Sequence, residues 1–100
     1  MTPDVREALV RIAREAVTNA ARHGEADIVR VELEIDENGD TARLRIIDDG
    51  QGFDALSRPR TRNGGFGLVS MSERAQAIGA VFHVESTRGV GTTVEVEIPA

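Results

Sequence analysis

Residues 29–46 read VRVELEIDENGDTARLRI, and this stretch decides the fold class. Val29, Val31, Leu33 and Ile35 alternate with Arg30, Glu32 and Glu34, the two-residue period of a half-buried strand. Asn38-Gly39 is a dipeptide that suits a tight hairpin turn. Ala42, Leu44 and Ile46 then alternate with Arg43 and Arg45, giving the returning strand. Ile47 breaks the alternation just before two acids.

Upstream, Thr2-Pro3-Asp4 reads as a helix start: a capping hydroxyl, a proline suited to the first turn, and an acid that favours the dipole. Val5, Ala8, Leu9, Ile12, Ala13, Ala16, Val17 and Ala20 follow at three- and four-residue steps, which predicts an amphipathic helix. Gly24 is the expected stop, as a residue free to turn left-handed. Downstream, residues 49–67 are rich in Gly, Arg, Asp and Pro without any period, and read as a long loop. Leu68, Met71, Ala75 and Ile78 predict a second helix, stopped by Gly79. Phe82 and Val84 share a face of a third strand, Arg88 to Gly91 turns the chain, and Val94, Val96 and Ile98 alternate through a last strand. Two helices separated from hairpin-joined strands predict an α+β two-layer sandwich.

All twelve cations among the 100 residues are Arg, against 17 acids, for a net charge of −5. Without Lys there is no P-loop lysine and no Schiff base. Without Cys there is no disulfide, thiol nucleophile or cysteine-based metal site. The acidic balance argues against a duplex-DNA binder, and no apolar run approaches the ~18 residues of a membrane span. Any phosphate must be met by Arg, by backbone N–H groups or by a metal ion.

Four constellations could carry chemistry. Glu15, Asn19 and His23 recur at steps of four on the first helix, with Arg22 beside them. A carboxylate and an amide there can offer oxygens to a divalent cation, or simply form a solvated face. Asp48-Asp49-Gly50-Gln51-Gly52 at a strand end can present a carboxylate to an amine beside backbone that a planar ligand approaches, or be a plain acidic turn. Asn63-Gly64-Gly65-Phe66-Gly67-Leu68 runs into the second helix, where N–H groups and the dipole favour an anion; a loop leading into a helix is the plainer reading. Arg88-Gly89-Val90-Gly91-Thr92-Thr93 is a hairpin that could turn the Thr92 hydroxyl into a pocket.

Together the order R-E-A-V-T-N-A-A-R-H-G, D-D-G-Q-G-F, G-G-F-G-L-V-S-M-S-E-R-A and G-V-G-T-T-V-E-V-E-I-P resembles the ATP-binding catalytic domain of sensor histidine kinases. That ATPase fold is shared with type II topoisomerases, mismatch-repair ATPases and the large heat-shock chaperones. The short loop and G-x-G-L-x-x-M-x-E-R are most similar to the branch of nitrate and membrane-fluidity sensors. The resemblance runs from about Val5 to Pro99. It implies a mixed, mostly antiparallel sheet with helices on one face.

The resemblance further implies ATP and Mg²⁺ as ligands. Asn19 matches the metal ligand, with Glu15 as its support or as a base. Arg22 and His23 match positions near phosphates and ribose. Asp48 matches the carboxylate that accepts from the adenine amine, and Gly50 and Gly52 line the base pocket. Gly65, Gly67 and Leu68 match the phosphate loop, and Thr92 a hydroxyl near the base. A lid at about 54–64 is expected to be mobile until nucleotide binds. Residues 1–100 then form one catalytic domain, cytoplasmic, with the phosphoacceptor and sensor units upstream. The implied partners are a dimeric helical domain bearing the acceptor histidine and, through the whole kinase, a response regulator; no nucleic acid or membrane contact is implied. Two features depart from the family pattern: its first strand does not precede the first helix, and the aromatic lid motif is missing. A stand-alone protein serine kinase of the anti-sigma-factor type is the alternative on the same fold.

Overall fold

The computed structural model describes residues 2–37, 41–52 and 68–98. Six elements follow the predicted order: α1 (Pro3–Arg22), β1 (Val29–Ile35), β2 (Ala42–Asp48), α2 (Leu68–Ala77), β3 (Val81–Thr87) and β4 (Gly91–Ile98). Asn38-Gly39 lies outside the described residues. The strands on either side of it pair antiparallel, with Val31 opposite Ile46 and Ile35 opposite Ala42.

Thr2 caps α1 as its sequence suggests, its Oγ1 accepting from the Val5 N–H at 3.2 Å. At the other end the helix stops at Arg22 with His23 as its cap, immediately before Gly24 as expected, but the left-handed turn falls one residue later. The chain turns off the helix with the Ala26 N–H donating to the Ala20 carbonyl at 2.9 Å, and the residue just before Ala26 is left-handed. That residue is Glu25, at φ +52°, and not Gly24. The end of α2 agrees with the prediction: Gly79 is left-handed at φ +73°, and the Ala80 N–H donates to the Ala75 carbonyl at 2.9 Å.

The sheet order is β1-β2-β4-β3, and every pairing among the described residues is antiparallel. β2 and β4 are therefore central neighbours although α2 and β3 separate them in the chain. Both helices pack on one face, α1 mainly over β2 and α2 over β3. Ile12, Ile46, Met71 and Val96 are fully buried between the layers. With few aromatics, burial of these aliphatic side chains holds the layers together, each contributing about 1.5–3 kcal/mol.

The opposite face of the sheet is ionic. Register puts Arg43 of β2 between Glu34 of β1 and Glu97 of β4, and Arg45 between Glu32 and Glu95. Arg43 reaches Glu97 at 2.7 Å, and the hydrogen bond and charge of Glu97 raise its pKa above the ordinary arginine value, with Glu95 and Glu34 adding to it. A basic central strand between two acidic ones penalises any slip in register, since a slip of one residue would also turn the apolar row outward.

Candidate functional site

The site lies where α1 ends over the end of the sheet. Antiparallel register aligns Val29, Asp48, Thr92 and Ser86 in one row across all four strands. The row continues the inward parity of Leu44, Ile46, Val94 and Val96 but is polar at Asp48, Thr92 and Ser86. The core therefore ends at this row in a polar edge. Above it the last turns of α1 and the first turn of α2 leave an open cleft of about 510 Å³, counting the space at its mouth. Its walls are Ala16, Asn19, Ala20, His23 and Gly24 from α1, Leu68 and Met71 from α2, and Ile46, Asp48, Gly52, Thr92 and Val94 from the sheet side. A mostly apolar slot with a few convergent polar groups suits a flat, partly polar ligand.

The two adjacent acids separate cleanly. Asp48 Oδ1 accepts from the Gly50 N–H at 2.8 Å, which fixes the half-buried carboxylate at the cleft. Asp49 faces the other way. Its Oδ1 accepts from the N–H groups of Asp27 and Ile28, both at 3.0 Å, and so ties the α1–β1 connection to the end of β2. Asp48 is thus available to a ligand, whereas Asp49 serves the fold.

The glycines are needed first by backbone packing. A Cβ on Gly50 would stand 2.5 Å from the Gly24 carbonyl oxygen, and the Gln51 N–H donates to that same oxygen at 2.7 Å. Gly50 is buried at this crossing and is not among the residues that line the cleft. Gly52, at φ +64°, does line it; a Cβ there would overlap the Thr87 carbonyl oxygen.

Of the sequence-predicted residues, Asn19, His23, Asp48, Gly52, Leu68 and Thr92 converge on the cleft. Glu15 and Arg22 do not line it; Glu15 is half-buried and Arg22 exposed. The reason is helical pitch. Each step of four overshoots a turn by about 40°, so a stripe from His23 back to Asn19 and Glu15 winds away from the cleft. Gly65, Gly67 and the lid at 54–64 lie outside the described residues.

Ser86 was not anticipated. Its Oγ lies 2.8 Å from Thr92 Oγ1 and 3.2 Å from the Gly91 carbonyl oxygen, so the two hydroxyls form one hydrogen-bonded unit beside Asp48. The alternation Phe82, Val84, Ser86 carried the signal, since it places Ser86 on the inner face. Ala16, Ala20 and Met71 follow the core spacing of their helices and also form the apolar wall of the cleft.

No group of three or more His, Asp or Glu that could hold a metal occurs among the described residues. The described residues alone therefore build no closed protein cage. Magnesium commonly keeps several waters and takes only one or two protein oxygens beside phosphate, and the Asn19 side chain at the cleft fits that chemistry.

A helix layer on an antiparallel sheet, with a carboxylate and a hydroxyl at the sheet end under a helix terminus, defines a nucleotide-binding α+β domain of a known kind. Residues 4–100 match the family of histidine kinase-, DNA gyrase B-, and HSP90-like ATPases, and the chain belongs to that family. Within it, the chain corresponds to the ATP-binding catalytic domain of sensor histidine kinases. It is 35% identical over 99 residues to the signal transduction histidine-protein kinase/phosphatase DegS of Bacillus subtilis, covering 99% of this chain and 25% of DegS. It is 41% identical over 95 residues to the sensor histidine kinase LiaS of the same organism, covering 95% of this chain and 25% of LiaS. The chain thus spans about a quarter of the length of these relatives. Among solved structures, the histidine kinase domain of the blue-light activated kinase EL346 of Erythrobacter litoralis superposes with a TM-score of 0.74 at 26% identity, over 96% of this chain and 45% of that one. The ATP binding domain of PrrB from Mycobacterium tuberculosis gives 0.74 at 22% identity, over 94% and 68%, a likeness of fold.

Proposed function

We propose that the cleft binds Mg-ATP and that the bound nucleotide supplies its γ-phosphoryl group to a histidine on a partner helical domain, in two-component signalling. The observation that carries the reading is Asp48. Its Oδ1 is tied to Gly50, and no hydrogen bond to its other oxygen occurs among the described residues, so Oδ2 can accept from the adenine amine. Thr92, hydrogen-bonded to Ser86, lies beside it as a second polar contact to the base. The apolar wall of Ala16, Ala20, Met71 and Val94 excludes water from the ring.

Asn19 then faces the phosphates, with His23 one turn on toward the ribose. Arg22 reaches the phosphates from outside the cleft, and Gly65, Gly67 and Leu68 offer N–H groups at the start of α2. Glu15, one turn before Asn19 on α1, would support the metal at one remove. When bound, Mg²⁺ neutralises charge on the phosphate oxygens. Catalysis by this chain is positioning and charge stabilisation. In the transfer the acceptor imidazole nitrogen forms the new P–N bond, the β,γ-bridging P–O bond breaks, ADP keeps that electron pair, and the ring proton leaves to solvent or base.

The domain assignment extends over residues 1–100, with a lid at 54–64 closing on the nucleotide. Its substrate places it on the cytoplasmic side, where ATP is abundant, and a response regulator receives the phosphoryl group from the full kinase. Among the described residues no helix is long and apolar enough to cross a membrane. Calorimetry with Mg-ATP and Mg-GTP tests the reading. ATP is expected to bind at least tenfold more tightly than GTP, whose ring carries a carbonyl where adenine has its amine; equal affinities refute the role of Asp48.

A further inference from the structure

Thr92 lines the cleft and Ser86 does not, although the two lie side by side on β4 and β3. Ser86 stands behind Thr92, and the backbone around it sets the direction of the proton between them. A hydroxyl has one hydrogen to donate and two lone pairs with which to accept. Ser86 Oγ lies 3.2 Å from the Gly91 carbonyl oxygen, and a carbonyl can only accept. The Ser86 proton is spent there. The 2.8 Å contact between the hydroxyls is then made by the Thr92 proton, donated to a lone pair of Ser86. Thr92 keeps only lone pairs to show to the cleft.

The Gly91 carbonyl is held in place. Gly91 has φ +144°, and a Cβ on it would overlap the Asp48 carbonyl oxygen, so its backbone is pressed against the end of β2. The turn before it is closed by the Val90 N–H donating to the Thr87 carbonyl at 2.9 Å. The acceptor that takes the Ser86 proton therefore belongs to backbone packed against Asp48.

The polar end of the cleft thus offers acceptors from neighbouring strands, Asp48 Oδ2 and Thr92 Oγ1, paired in register. A ring with an amine at this end brings two N–H groups to two acceptors, directly or through one water. A ring with a carbonyl there sets acceptor against acceptor, and a site built around hydrogen bonds rejects a ligand that leaves its groups unpaired. With its proton free, Thr92 could turn and donate to such a carbonyl, and the choice of base would rest on Asp48 alone.

We propose that Ser86 is a positioning residue for base selection: it takes up the Thr92 proton and makes that hydroxyl an obligate acceptor beside Asp48. The inference rests on the nucleotide reading under Proposed function and adds the residue that decides what Thr92 can recognise.

Calorimetric titration with Mg-ATP and with Mg-ITP, whose ring carries a carbonyl in place of the adenine amine, tests it. Ser86→Ala is expected to narrow the preference for ATP over ITP at least threefold, because Thr92 regains a proton to offer a carbonyl or Asp48. Ser86→Thr restores a hydroxyl and is expected to keep the preference within twofold of the unsubstituted chain. Thr92→Val removes the second hydroxyl at similar volume, and adding Ser86→Ala to it is expected to change the preference no further. A thermal melt accompanies each variant. If Ser86→Ala melts without cooperativity, Ser86→Cys takes its place, since a thiol is only a weak hydrogen-bonding group. An unchanged preference, with both affinities kept or lowered alike, overturns the proposal and leaves Ser86 a structural role. Narrowing of the same size in the Thr92→Val background overturns the route through Thr92. In either case, binding of Mg-ATP by the unsubstituted chain leaves the nucleotide reading standing; if that chain binds no nucleotide, both fall.

Discussion

Asp48→Asn separates binding from folding at a single atom. The asparagine keeps a carbonyl oxygen where Asp48 Oδ1 accepts from the Gly50 N–H at 2.8 Å, so the joint between β2 and the following loop is preserved. What changes is the other position, where an acceptor becomes an NH₂ donor facing the donor amine of adenine. A hydrogen bond to a charged group contributes about 1.5–3 kcal/mol. At 1.4 kcal/mol per decade, the dissociation constant for Mg-ATP should rise about 10- to 100-fold. The fold should lose at most about 1 kcal/mol, because the Gly50 contact changes from charged to neutral and is not removed. Calorimetric titration gives the affinity, and a thermal melt of the same sample gives the stability. Asp49→Asn is the control, since its carboxylate is turned to the Asp27 and Ile28 amides; its affinity for nucleotide should stay within about twofold. Asp48→Asn binding within twofold of the unsubstituted chain would refute the argument. Asp49→Asn losing affinity while Asp48→Asn does not would mean that the roles of the two acids are exchanged.

The remaining predictions concern the scaffold of the cleft. Asp49→Ala strands two amide groups and should cost about 1–2 kcal/mol, a fall of several degrees in Tm. Glu25→Gly relieves a left-handed non-glycine residue at the end of α1 and should raise stability by about 0.5–1 kcal/mol, read as a higher urea midpoint at unchanged slope; an unchanged or lower midpoint counts against strain there. Gly52→Ala puts a Cβ into the Thr87 carbonyl at φ +64° and should cost more than about 3 kcal/mol, so that nucleotide binding is lost together with the cooperative melt. An alanine variant that folds and melts normally would show that the loop can shift away.

The elements themselves were legible in the chain. Period-two runs at 29–35 and 42–48 and the three- and four-residue steps of α1 are imposed by burial on one face, and burial acts on side chains one at a time. Asn19, His23, Asp48, Gly52, Leu68 and Thr92 could be named before any coordinates for a different reason: the motifs that carry them resemble those of the kinase family. Glu15 and Arg22 could not be sorted from them, because their relation to the cleft depends on the exact winding of α1 against α2. Asp48 and Asp49 are the same residue type one position apart. Only the meeting of the α1–β1 connection with β2 shows that one of them is spent on backbone amides.

The sequence by itself thus determined the number, type and facing of the elements, the absence of any lysine or thiol chemistry, and the family to which the motifs belong. These follow from local chemistry: alternation, capping groups, glycine positions and composition. The tertiary structure alone decided that β4 inserts between β2 and β3, which aligns Asp48, Thr92 and Ser86 in one row. It alone decided that Glu25, and not Gly24, turns left-handed at the end of α1. It also left the apolar row of β1 uncovered beside α1. A two-residue period fixes which side chains share a face. It does not fix which strand lies alongside or which helix lies above, because those are set by contacts between segments far apart in the chain.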